Sequence, residues 1–199
     1  MKFTNLCFAV LLAAGTITFA GCESEGHEDN RNDKTVAENA DGDGYENTAE
    51  EKSDAMEEVF NQYEDLRNKL YNGNADAVKN QAEAMKKELD DLNTTEMAPA
   101  EVTEWNTWVT QVREPLNKIE AATAIEAQRT QFADLTTVVY NGVKKYGVDD
   151  EVYYQFCPMA MNNKGAYWLD TDKEIKNPYF GEGHSTCGST KETLAAQKD

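Results

Sequence analysis

Two short stretches near the C-terminus hold the side chains best suited to binding a soft cation. Cys157-Pro158-Met159-Ala160-Met161 sets three sulfur-bearing side chains at alternate positions, which in an extended chain all face one side. Pro158 removes a backbone donor and disfavours helix at Cys157, so an extended or turning conformation is expected there. Further on, Gly183-His184-Ser185-Thr186-Cys187-Gly188 places an imidazole three residues ahead of a thiol, behind the turn signal Asn177-Pro178. The two stretches are expected to meet as a hairpin. Thiolate and thioether groups select Cu(I), or Ag(I) by analogy, over hard cations, and such a site needs few ligands. Cys157, Met159, His184 and Cys187 are the first choices for metal ligands, with Met161 as a further candidate.

Two other readings of the same residues stay open. A Cys157–Cys187 disulfide would close a loop of about thirty residues, contribute about 3 to 4 kcal/mol, and open to bind metal when reduced. Two cysteines and one histidine also suit zinc, although the neighbouring methionines favour copper. Trp168, Tyr153 and Tyr179 either shield such a site or pack the tail onto the rest of the domain. The chain offers no Ser-His-Asp set, no glycine-rich phosphate loop and no Glu-x-x-His pair, so a non-enzymatic role is expected. The first rival is a structural or interaction protein that docks to an efflux adaptor or another envelope partner, its cysteines forming only a disulfide; the second, a thiol redox enzyme, is disfavoured because no Cys-x-x-Cys or adjacent base lowers a thiol pKa.

The elements that must carry the tail are helical. Met56, Val59, Phe60, Tyr63, Leu66 and Leu70 recur at spacings of three and four after a plausible N-cap, Ser53, and Asn72-Gly73 ends the run. Asn74 opens a second helix with Val78, Ala82, Met85, Leu89 and Leu92 inward. Trp105, Trp108, Val109, Val112, Leu116 and Ile119 form a third, which Pro115 is expected to kink or break. Ile125, Phe132, Leu135, Val138, Val139 and Tyr146 form a fourth, stopped by Gly147. The expected fold is all-α: an up-and-down four-helix bundle over 55–147 with an irregular metal-binding hairpin or loop over 148–199, and little strand pairing. Met56, Met85, Trp105 and Trp108 fall at core positions and read as packing.

Lys2 and the apolar run Leu6–Phe19 have the length of a secretory signal, and Phe19-Ala20-Gly21-Cys22 resembles the lipobox of bacterial lipoproteins. That implies cleavage after residue 21 and lipidation of Cys22, which anchors the chain stably to a membrane. Of the four cysteines only Cys157 and Cys187 then remain in the folded part. Glu23 to Asp54 carries twelve acidic residues against Arg31, Lys34 and Lys52, so 22–54 reads as a disordered, solvated tether. Asp41-Gly42-Asp43-Gly44 lacks the spacing of a calcium loop. The net charge of -18 argues against nucleic-acid partners. The expected location is the cell envelope, on the outer membrane facing the periplasm. Glu23 and Glu25, directly after the lipid cysteine, resemble surface-export signals and keep the outer face open.

From Met56 to Leu194 the chain resembles a domain of unknown function found in exported bacterial lipoproteins and fused to adaptor subunits of heavy-metal efflux pumps. The likeness rests on Gln128-Arg129 with Phe132 and Leu135, Tyr153 with Cys157-Pro158-Met159-Ala160, Gly165-Ala166-Tyr167-Trp168-Leu169, and Ile175-x-Asn177-Pro178-Tyr179-Phe180-Gly181 leading to Cys187-Gly188. The resemblance implies copper handling and, as partners, an efflux adaptor or a metallochaperone. Where that family has methionine before the terminal Cys-Gly, this chain has His184, which also admits zinc or Cu(II) and makes affinity depend on pH. Met161 is an addition to the usual pattern.

Overall fold

The computed structural model describes residues 48–95, 97–181, 183 and 186–197; Cys22, the expected signal and most of the tether, and His184 lie outside the described residues. The apolar stripes form four helices in chain order, α1 (Thr48–Tyr71), α2 (Ala75–Asp91), α3 (Pro99–Ala121) and α4 (Ile125–Tyr146). Each helix packs on the next and α1 closes against α4. Short connections leave successive helices little choice but to run antiparallel. Gly73 (φ 73°) and Gly147 (φ 82°) stop α1 and α4 in the left-handed region that glycine reaches without strain. Asn74 caps α2, its Oδ1 accepting the Ala77 N–H at 3.0 Å.

Two local expectations change. α1 begins at Thr48, so Ser53 lies inside the helix, where its hydroxyl is buried without a hydrogen-bond partner instead of capping the first turn. α3 runs through Pro115 without a break: the ring is itself buried, between Val112 and Leu116. The packing of that apolar stripe outweighs the hydrogen bond the proline forfeits, a cost of about 3 kcal/mol in an exposed helix.

The bundle core follows the stripes: Met56, Val59, Phe60, Tyr63, Leu66, Leu70, Val78, Met85, Leu116 and Leu135 are all essentially inaccessible. Trp105 and Trp108 pack on each other (ring centroids 4.9 Å apart) and on Tyr146, which bears out their reading as core. None of the described helices is long and apolar enough to cross a membrane.

The tail is where the all-α expectation fails. β1 (Val152–Cys157), β2 (Ala166–Asp170) and β3 (Ser189–Leu194) form an antiparallel sheet in the order β2-β1-β3. The runs Val152-Tyr-Tyr-Gln-Phe and Tyr167-Trp-Leu are β-branched and aromatic, residues that fit a pleated, half-buried surface better than a helix. Register pairs Gln155 with Trp168 and Cys157 with Ala166. Since side chains alternate along a strand, Tyr153, Gln155 and Cys157 share a face with Asp170, Trp168 and Ala166, and all six are buried. Beyond that face, Tyr140 of α4 stacks on Tyr154 and Tyr154 on Tyr167, while Phe156 packs tilted against Tyr167, with centroids 4.2, 4.5 and 4.4 Å apart. This column of rings ties the sheet to the last helix.

Candidate functional site

Cys157 ends the central strand, and Cys187 stands just before β3 on the opposite side from β2. Pairing of β1 with β3 brings Phe156 opposite Ser189, and so carries the two cysteines, thirty residues apart in sequence, to a Cα separation of 5.5 Å. Their sulfurs are joined as a disulfide. Cys157 is fully buried, whereas Cys187 is partly exposed. The cysteine stretches therefore meet, but not as the expected hairpin: β1 forms its hairpin with β2 through residues 158–165, and β3, entered just after Cys187, adds on the other edge.

The methionines do not continue the strand. Pro158 and Met159 form a turn, and the chain then passes through three left-handed residues, Met161 (φ 54°), Asn162 (φ 58°) and Asn163 (φ 65°). Alternation thus ends at Cys157, and the three sulfurs do not lie on one sheet face as an extended chain would have them. Met159 is 52% exposed to solvent. Met161 is half-buried and lines a cavity of about 330 Å³ with Glu126, Arg129, Asn162, Tyr179 and Phe180. Left-handed backbone is costly for methionine, which lacks the short polar side chain that helps asparagine tolerate it. Of the five proposed ligands, then, Cys157 and Cys187 are brought together. Met159 and Met161 sit along the loop that follows Cys157, and His184 lies outside the described residues. Among the described residues no three or more His, Cys, Asp or Glu side chains gather as a metal site.

The other residues of the tail signature form a fastening network. Arg129 donates through Nε to the Pro178 carbonyl (2.8 Å) and through Nη2 to the Leu70 carbonyl (3.1 Å), bridging the end of α1 to the tail. The Leu70 carbonyl, near the end of α1, also accepts the Gly73 N–H (3.2 Å), so Arg129 fills its second acceptor position. Burial lowers the Arg129 pKa, with Glu126 opposing the shift. Asn177, fully buried, donates through Nδ2 to the Cys187 carbonyl (2.8 Å) and accepts the Tyr179 N–H on Oδ1 (2.9 Å). Tyr179 donates its hydroxyl to the Tyr167 carbonyl (2.6 Å) and packs on Phe132 of α4 and on Trp168. Trp168 in turn lies against Gly188, where a Cβ would come within 2.7 Å of its ring. Trp168 and Tyr179 are thus packing residues of the tail, adjacent to the disulfide segment.

A second fastening was not anticipated from sequence. Tyr63 of α1 accepts the Leu169 N–H (3.1 Å) and pairs with the Thr136 hydroxyl of α4 (2.8 Å). One turn on, Arg67 forms a buried ion pair with Asp170 (2.6 Å), and Glu64 accepts from the Thr171 N–H and hydroxyl. Burial pushes the Asp170 carboxyl up to about 6, outweighing the adjacent Arg67 guanidinium that lowers it. The signal was present: Arg67 sits beside Leu66 and one turn from Tyr63 and Leu70, on the stripe that otherwise faces the core.

No curated protein and no solved structure matches this chain. The part that does match a known family is the bundle alone, from midway along α1 to the threshold of β1, short of both cysteines: residues 59–151 fit the model of a family described as a protein of unknown function (DUF3347).

Proposed function

We propose that this chain is a non-enzymatic envelope lipoprotein, anchored through Cys22, that binds a soft metal ion, Cu(I) before zinc or silver, for buffering, transfer or efflux. The observation that carries this reading is the convergence of Cys157 and Cys187, two thiols far apart in sequence, beside a loop bearing an exposed Met159. A pair close enough to bond to each other is close enough, after reduction and a rotamer change, for both thiolates to reach one ion. Reduction takes two electrons and two protons from an external dithiol, and the cation then displaces the two thiol protons. Met159 supplies a thioether, and His184, three residues before Cys187, an imidazole. An exposed thioether suits handover by ligand exchange to an efflux adaptor or a metallochaperone.

The bonded state of the two cysteines favours a second reading, an interaction lipoprotein that docks to an envelope or efflux partner and in which the bridge only holds the tail. A Cu(I) titration against a chromophoric chelator, run anaerobically on reduced and on oxidised protein, separates the two. Metal binding predicts one tight site in the reduced form, weakened in Cys157→Ser, Cys187→Ser, Met159→Leu and His184→Ala. Equal and weak uptake by all forms leaves the docking reading.

A further inference from the structure

Opening the disulfide requires that a thiolate reach one of its two sulfurs along the line of the bond to be broken, and the fold makes the two ends unequal. Cys157 terminates the central strand, pairs with Ala166 of β2, and has no exposed surface. Cys187 lies outside the strands, partly exposed, beside the exposed Thr186. An attacker aimed at the Cys157 sulfur must reach a residue with no exposed surface, whereas one aimed at Cys187 meets a residue that is partly exposed.

We propose that Cys187 is the residue at which an external thiol enters, forming a mixed disulfide there and expelling Cys157 as the leaving thiol. The incoming thiolate forms a bond to the Cys187 sulfur while the Cys157–Cys187 bond breaks, and the electron pair leaves on the Cys157 sulfur, which takes up a proton. A second thiolate of the same reductant class then attacks the reductant's sulfur in the mixed disulfide. That step releases Cys187 as a thiolate, and the reductant is oxidised by two electrons as the protein bridge is reduced by two. One effect opposes this order: a buried sulfur is a poor leaving thiolate, whereas Cys187 would be better solvated. Leaving-group burial slows the exchange, but contact between attacker and sulfur is a precondition for either route, so access decides the site. Asn177 takes part because it holds the Cys187 carbonyl and thereby limits how far the segment can swing outward.

The inference goes beyond metal binding and is tested without metal. The full chain, its free thiols first alkylated, is exposed to limiting glutathione, quenched with acid, alkylated and digested with pepsin at acid pH for mass-spectrometric mapping. Cys187 is expected to carry the adduct at least about ten times more often than Cys157, and in denaturant the preference should vanish. Asn177→Ala should speed adduct formation at Cys187 without moving it. Equal labelling of both cysteines in the native chain, a preference for Cys157, or no adduct under conditions where the denatured chain reacts would each overturn the assignment. Any of these results is compatible with a reduced protein that still binds Cu(I), so the two proposals fail separately.

Discussion

In the bundle the stabilising residue recurs: an apolar side chain every three or four positions, each sharing its burial with several others on neighbouring helices. In the tail nearly every fastening occurs once. One arginine holds Pro178, one asparagine holds the Cys187 carbonyl, one ion pair fixes the end of β2, and one disulfide ties the edge strand. A redundant core loses stability in proportion to what is removed, whereas a set of single polar contacts fails at the contact touched, because a buried polar group without its partner keeps the full desolvation cost. The region carrying the candidate chemistry is therefore the one whose opening individual residues control.

Phe132 is where the contrast is easiest to break, because its ring stacks on Tyr63 of the bundle (5.1 Å) and touches Tyr179 of the tail (6.0 Å). Phe132→Ala should cost about 3 to 5 kcal/mol in urea unfolding. It should also remove protection from hydrogen exchange in both regions together. Loss confined to the tail would mean that the bundle core does not depend on that ring.

Arg67→Met leaves Asp170 buried without its partner and should cost about 3 to 5 kcal/mol near pH 7. The sign of its pH dependence sharpens the prediction. Asp170 titrates at about 6 in the folded chain against 3.8 ordinarily, so the folded state holds this proton more tightly than the unfolded state. Its contribution to stability is fully present below the unfolded value and is lost as pH rises through about 6. Unfolding at about pH 5 should accordingly show a smaller deficit for Arg67→Met than at about pH 7. Asp170→Asn should remove the corresponding pH-dependent component from the wild type.

Arg129→Met severs both carbonyl contacts, at a cost of about 2 kcal/mol, and its loss should appear first as faster amide exchange around 177–181. A uniform acceleration across α2 and α3 instead would show that Arg129 supports the bundle more than the tail. The smallest effect is expected at Gly181. There φ is 69° and a Cβ would approach the Tyr71 carbonyl to 2.8 Å, so Gly181→Ala should lower the thermal midpoint by an amount equivalent to about 1 to 2 kcal/mol.

Much of this contrast is legible in the sequence. The helical stripes named their own core, and the four helices fall where the spacing put them, since amphipathic period and burial are the same fact seen twice. The sheet was missed although Tyr153-Tyr154-Gln155-Phe156 and Tyr167-Trp168-Leu169 carry strand composition. Its third strand, Ser189-Thr-Lys-Glu-Thr-Leu, is polar and mostly exposed, and nothing in its composition distinguishes an edge strand from a loop. The proximity of Cys157 and Cys187 was expected, but not the β1–β3 pairing that produces it or the turn that takes Met159 and Met161 off the strand face.

By itself the sequence determined which residues are apolar and at what period, and hence four helices, their stops and their buried faces, because those follow from local geometry repeated along the chain. It also determined that two cysteines, two methionines and a histidine are concentrated in the tail. Tertiary structure alone decided that the two thiols meet across a strand pair, that one of them is buried and the other partly exposed, and that Arg67 of α1 finds Asp170 of β2. Those outcomes depend on register and on partners a hundred residues distant, which no local period encodes.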